Sequence, residues 1–262
     1  MKVFLSALWA ETLKARRSKV PLFTAAGFTL LPLVSGLFMI ILKDPERAKE
    51  LGIISVKAQL VGGTADWPSL FGMLKMGTGI AGLILFAIIT AWVFGREFSD
   101  HTAKELLALP TPRGIIVGAK FGLILFWIMG LSLFIFVITL GIGAAVDIPG
   151  WSSALVWTSF WSLLLITFLT VMLMPVVALI ASIGRGYLPP LGWSFLTMAL
   201  AQIAAVMGWG EWFPWSVPGL LSEFSGPQSE PLGMHSYLMV LLVFIIGVAA
   251  TFMWWQKADQ TR

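Results

Sequence analysis

Six separate stretches of this sequence run apolar for about twenty residues or more, the length one helix needs to cross a bilayer. Nothing else in the chain restricts its fold so strongly. A backbone in hydrocarbon must satisfy its own hydrogen bonds, and a helix does this internally. The stretches cover roughly residues 20–42, 70–94, 114–146, 152–183, 188–208 and 233–255. The third and fourth exceed one crossing, so they can tilt or project beyond the hydrocarbon. Only 11% of the 262 residues are charged and 58% are hydrophobic, whereas soluble domains are about one quarter charged. The expected fold is an all-α membrane protein in which lipid stands where a soluble protein has its own core.

The lysines and arginines orient the spans. With both termini inside, the inner segments hold Lys2, Lys14, Arg16, Arg17, Lys19, Arg96, Lys104, Arg113, Lys120, Arg185, Lys257 and Arg262. The two later outer loops, around Asp147 and over 209–232, hold none. The first outer loop carries Lys43, Arg47, Lys49 and Lys57, offset by Asp44, Glu46, Glu50 and Asp66. Positive charge accumulates in cytoplasmic loops, so both termini and residues 95–113 are expected in the cytoplasm. The net charge of +4 belongs to these juxtamembrane cations. No basic stripe interleaved with aromatics occurs outside the spans, so nucleic acid is not an expected partner.

Residues 1–19 alternate apolar and basic character, and Leu5, Leu8, Trp9 and Leu13 share one face at helical spacing. This reads as an amphipathic interfacial helix with snorkelling cations. A cleaved signal is the rival reading. It fits less well, because the following apolar run is long and no small-x-small cleavage site is present.

Between the second and third spans lies the charged island GREFSDHTAKELLALPTPR, residues 95–113. Thr102 and Glu105 have the spacing of a capping box, in which hydroxyl and carboxylate each satisfy a backbone N–H at a helix start. Leu106, Leu107 and Leu109 are helix formers, and Pro110 and Pro112 forbid continuation. A short helix over about 102–109 is predicted, lying between two spans. Glu105 falls on the same side as Phe98, Thr102, Leu106 and Leu109, so a protein groove suits this helix better than a lipid surface.

The outer segment 209–231, WGEWFPWSVPGLLSEFSGPQSEP, allows two readings. Its tryptophans suit an interfacial aromatic belt. Its prolines four residues apart suit a re-entrant pair of short helices, broken at Pro214 and Pro218, that caps the pathway; Trp212, Phe213, Pro214, Trp215 and Pro218 would form the outer gate.

Most chemistry is absent. The chain has no Gly-x-x-x-x-Gly-Lys-Ser/Thr phosphate loop and so no ATP site of that kind, and no His-Glu-x-x-His or Gly-x-Ser-x-Gly motif. With no cysteine and only His101 and His235, neither a disulfide nor a metal site is expected. Charge at mid-span, the usual sign of an ion path, is scarce. The energy for any transport is therefore expected through a cytoplasmic contact.

The island resembles the cytoplasmic loop of ABC-2-type permeases, the membrane subunits of ATP-binding-cassette exporters. In that family a Glu after the second span is followed by Thr, a Leu-Leu pair, Pro and Arg; here Glu97, Thr102, Leu106, Leu107, Pro110 and Arg113 match. The basic N-terminal helix, six spans and Pro-rich apolar segment before the last span are similar too. Size and tryptophan content resemble the bacitracin-resistance and lantibiotic self-protection branch.

The resemblance implies a type V exporter-like fold. Two permease copies, or one copy with a related permease, would form the path in the bacterial cytoplasmic membrane. Separate ATPase subunits beneath them would carry ATP and Mg, with no cofactor in this chain. The short helix would be the coupling helix, its surface built from Glu97, Asp100, His101, Thr102, Lys104, Glu105, Leu106, Leu107, Pro110 and Arg113. Its charges would contact the ATPase or hold the N-terminal helix. The implied substrate is amphipathic or lipid-linked, such as an antimicrobial peptide. A self-standing carrier or channel, or a scaffold with no transport cycle, is the other class of reading. The glycines at 77, 79, 82, 141 and 143 are expected to permit close helix approach.

Overall fold

A computed structural model describes residues 2–44, 64–102, 105, 110–222 and 232–257. Among the described residues there is no strand. The helices are α1 (Lys2–Arg17), α2 (Val20–Lys43), α3 (Trp67–Ser99), α4 (Arg113–Val146), α5 (Ser153–Ile183), α6 (Leu188–Val206), α7 (Val217–Leu221) and α8 (Met234–Lys257). Six of them, α2 to α6 and α8, are long and apolar enough to cross a membrane. At about 1.5 Å per residue, α3, α4 and α5 exceed the roughly 30 Å of hydrocarbon, so their ends project or tilt.

Two boundaries differ from the sequence reading. Helix α3 starts at Trp67 rather than residue 70, because Asp66 caps it: its carboxylate accepts from the Ser69 N–H at 2.8 Å, with Pro68 in the first turn. The same helix runs on to Ser99, so residues 95–99 of the charged island are helical rather than loop. A left-handed His101 (φ 58°) follows that end.

Helices α3 and α5 are the inner pair, and α2, α6 and α8 expose most of their apolar surface. Aromatic rings fill the seams. Phe28 stacks on Phe86 at 5.4 Å between α2 and α3, and Phe71 on Phe136 at 5.6 Å between α3 and α4. Polar side chains add specific ties: Thr167 donates to Ser132 between α5 and α4, and the Trp255 indole to Ser182 between α8 and α5, both at 3.0 Å. Pro175 inside α5 lies where α8 comes close: Gly247 packs against it and Thr251 donates to its carbonyl at 3.2 Å. At the far end Lys43 donates to the carbonyls of Val146 and Asp147 at 2.7 and 2.8 Å, capping α4 from α2.

The chain leaves α6 through Gly208, whose φ of 78° suits glycine. It then makes two 3-10 turns, Gly210–Trp212 and Pro214–Ser216, before α7. Phe213 between them is extended, as a residue before proline should be. Pro218, expected to break a helix, instead occupies the first turn of α7, where its missing N–H is not needed. Residues 223–231 of the outer segment lie outside the described residues.

Candidate coupling site: a buried charge ring

The end of the bundle that carries α1 holds four ionisable residues in a closed ring. Glu11 and Lys14 stand three apart on α1, the spacing that brings helix side chains together. Glu97 comes from the last turn of α3 and Lys120 from the second turn of α4. Lys14 Nζ lies 2.7 Å from Glu11 Oε1 and 2.9 Å from Glu97 Oε1. Lys120 Nζ lies 3.0 Å from Glu11 Oε2 and 3.1 Å from Glu97 Oε1. Charges therefore alternate around the ring, and two carboxylates against two ammonium groups sum to zero.

Each donor is placed. Lys120 is fully buried, and its third proton goes to the Val93 carbonyl at 2.9 Å, so all three of its N–H groups are used. Val93 stands one helical turn before Glu97, which is why one ammonium reaches both. The Thr102 hydroxyl donates to Glu97 Oε2 at 2.7 Å. The start of the α3–α4 loop is thereby tied to the ring. Burial alone would depress the pKa of Lys14, but Glu11 and Glu97 outweigh it and hold the group above the ordinary lysine value of 10.5.

The ring fixes how α1 sits. Glu11 and Ala15 face the bundle and are buried, while Leu5 and Trp9 point away from it and are exposed. Phe4 and Leu8 lie over Gly118 and Gly122 of α4, whose lack of side chains leaves them room. Arg113, at the start of α4, donates to the carbonyls of Trp255 and Gln256, both at 3.2 Å, and so ties in the end of α8.

Of the island residues read from sequence, Glu97 is buried in the ring and takes one of its two expected uses, holding the N-terminal helix. Arg113 faces α8. Asp100, His101, Glu105 and Pro110 are exposed, and Thr102 is half-buried against Glu97. Lys104, Leu106 and Leu107 lie outside the described residues, as do Ala103, Ala108 and Leu109 of the short helix expected over about 102–109. Glu11 and Lys120 were missed. The signal was present: Glu11 is the one acid among the first nineteen residues, and Lys120 the one charge within residues 114–146. Counting Lys120 as a topology cation hid an ionisable residue inside a span, which is the usual mark of a functional site.

Residues 7–202, from α1 through most of α6, match the ABC-2 family transporter proteins. The chain belongs to that family. All four ring residues lie within the matched stretch. A bacitracin transport permease protein of Bacillus licheniformis is 26% identical over 181 residues, covering 69% of this chain and 86% of that relative.

At the opposite end of this ABC-2 transporter protein, the residues of the expected outer gate divide. Pro214 and Pro218 are buried, and the Pro218 carbonyl packs directly on Gly79 of α3. Trp215 and Phe213 lie 5.5 Å apart, with Trp215 edge-on to Trp193 of α6. Trp212 is exposed and stacks on His235 of α8 at 4.4 Å. The segment therefore bridges α3, α6 and α8.

Proposed function

We propose that this chain is the membrane permease subunit of an ATP-binding-cassette exporter, with ATP and Mg bound by a separate ATPase subunit. Its cargo is amphipathic or lipid-linked, and the likeness to a bacitracin permease supports an antimicrobial peptide, in self-protection or resistance. Two copies, or one copy with a related permease, enclose the path in a bacterial cytoplasmic membrane. Both termini are cytoplasmic, as the distribution of lysine and arginine favours.

The observation that carries this reading is the charge ring. It joins α1 to both helices that flank residues 100–112, the segment expected to meet the ATPase. A force applied there moves the ends of α3 and α4 together with α1. Two-state motion of packed elements needs such a stiff connection. The ring's internal neutrality and the complete hydrogen bonding of Lys120 suit a clamp better than a proton path, so the carrier reading gains nothing from it. The apolar face of α1, with Leu5 and Trp9 outward, rests in the membrane interface. The outer segment around Pro214 and Pro218 caps the far end of the path.

Co-purification tests this. The tagged protein, extracted from its host in mild detergent, retains a cassette ATPase, and a variant with residues 102–109 replaced by Gly and Ser loses it. Absence of an ATPase from both samples would refute the permease reading.

A further inference from the structure

We propose that His235 is a proton-operated latch that fastens the outer segment to the last span. Glu211 and Trp212 belong to the first 3-10 turn of that segment, and His235 and Ser236 to the first turn of α8. Three contacts join them. Nε2 of His235 lies 3.4 Å from Glu211 Oε2, the Trp212 ring stacks on the imidazole at 4.4 Å, and the Ser236 hydroxyl donates to the Glu211 carbonyl at 2.9 Å. Gly233 gives the imidazole its room, since a Cβ there would lie 2.5 Å from the ring.

The first two of these contacts depend on the charge of the imidazole. Nε2 is shut off from solvent and makes no hydrogen bond among the described residues, because 3.4 Å is beyond a good N–H···O distance. A neutral imidazole has one N–H, so its other nitrogen is a bare acceptor. The imidazolium has two, so Nε2 then becomes a charged donor aimed at the Glu211 carboxylate. The same cation is drawn to the face of Trp212. The His235 side chain as a whole is 36% exposed, so protons reach the ring from solvent.

Among the described residues no other charge competes at this spot. The second 3-10 turn and helices α5, α6 and α7 carry no ionisable side chain. On α8 itself Tyr237 stands two residues along, and Lys257 is at the opposite end. Helix α4 has Arg113 and Lys120 at that opposite end too, and Asp147 beyond its outer end lies 3.9 Å from Lys43. The rest of the outer segment is held by uncharged contacts, the Pro218 carbonyl on Gly79 and Trp215 against Trp193, so the latch governs the α8 attachment alone. Given the orientation and the cap proposed above, external acidity would fasten the segment over the path. The latch itself rests on this chain and not on an ATPase.

Spin labels at Trp209→Cys and Met234→Cys, exposed positions on the two sides of the latch, test it in the detergent-purified chain. At about pH 5.5 one narrow distance should dominate. At about pH 8 a second, open population should grow about threefold or more, the scale of a partly exposed ion pair together with one cation–π contact. His235→Gln should show the open population at both pH values, and Glu211→Gln should lose most of the pH response. A reference pair on α1 and α4, Trp9→Cys with Phe126→Cys, should not respond over this range. Identical distances at both pH values with His235 and Glu211 intact, a full response in either variant, or an equal response from the reference pair would each overturn the proposal. A failure to capture an ATPase would leave this result untouched.

Discussion

Lys120 decides the energetics of the α1 end. Removing one member of a buried charge set leaves the others uncompensated, a loss of about 3–5 kcal/mol. Lys120→Met should therefore destabilise the purified protein by that order. Lys120→Met combined with Glu11→Gln should recover a large part, because an ammonium and a carboxylate leave together. Thermal unfolding of the two singles and the double gives the coupling; strict additivity would mean that the two side chains do not interact. Lys14 sets a pH signature. Its folded pKa lies above the ordinary 10.5, so its contribution is complete below that value and disappears as pH rises through the folded one. Protease protection of α1 should accordingly persist up to about pH 10.5 and fall only above it. Protection lost near pH 9 would contradict the ring. The sequence identified Glu97 through its place in a motif, but Glu11 and Lys120 became visible only once distant segments met. A side chain's partner across 109 residues of chain has no local pattern.

Helices were the most legible level, because bilayer length and apolarity are local properties. The six spans stood out for that reason, while their ends depended on contacts. Asp66 moved the start of α3 outward, and the paired Glu97 allowed its end to continue past residue 94. Glycine shows the same division. A Cβ on Gly77 would press on Leu31 of α2, and one on Gly143 on Trp67 of α3, so these glycines do set helix approach. At Gly82 only its own helix is near, and Gly141 has nothing within 4 Å. Composition alone could not separate the two groups. Gly79 is the sharpest case: an added Cβ would lie 2.6 Å from the Pro218 carbonyl, which is backbone and cannot rotate away. Gly79→Ala should lower stability by about 1–3 kcal/mol and loosen α7, while Gly141→Ala should stay within about 0.5 kcal/mol. Unfolding midpoints of the pair check this, and equal effects would contradict the packing.

At the scale of the molecule, the chain is a bundle with two differently built ends. One is closed by the ring, Arg113 and the end of α8; the other by Lys43 on α4 and the turns around Pro214. The family and the multi-pass fold followed from features spread along the whole sequence. The charge ring that ties α1 to α3 and α4 did not, since it is assembled from three helices. The account's central claim is that α1, the end of α3 and the start of α4 move as one body when the ATPase closes. The chain has no cysteine, so two introduced cysteines can be labelled without background. Trp9 on α1 and Phe126 on α4 are both exposed and lie outside the ring. The decisive measurement is the spin-label distance between Trp9→Cys and Phe126→Cys in the ATPase complex, without nucleotide and with ATP trapped. The account predicts one narrow distance common to both states, broadened when Lys120→Met is added. A distance that shifts with nucleotide in the intact ring, or one equally narrow without Lys120, would contradict it.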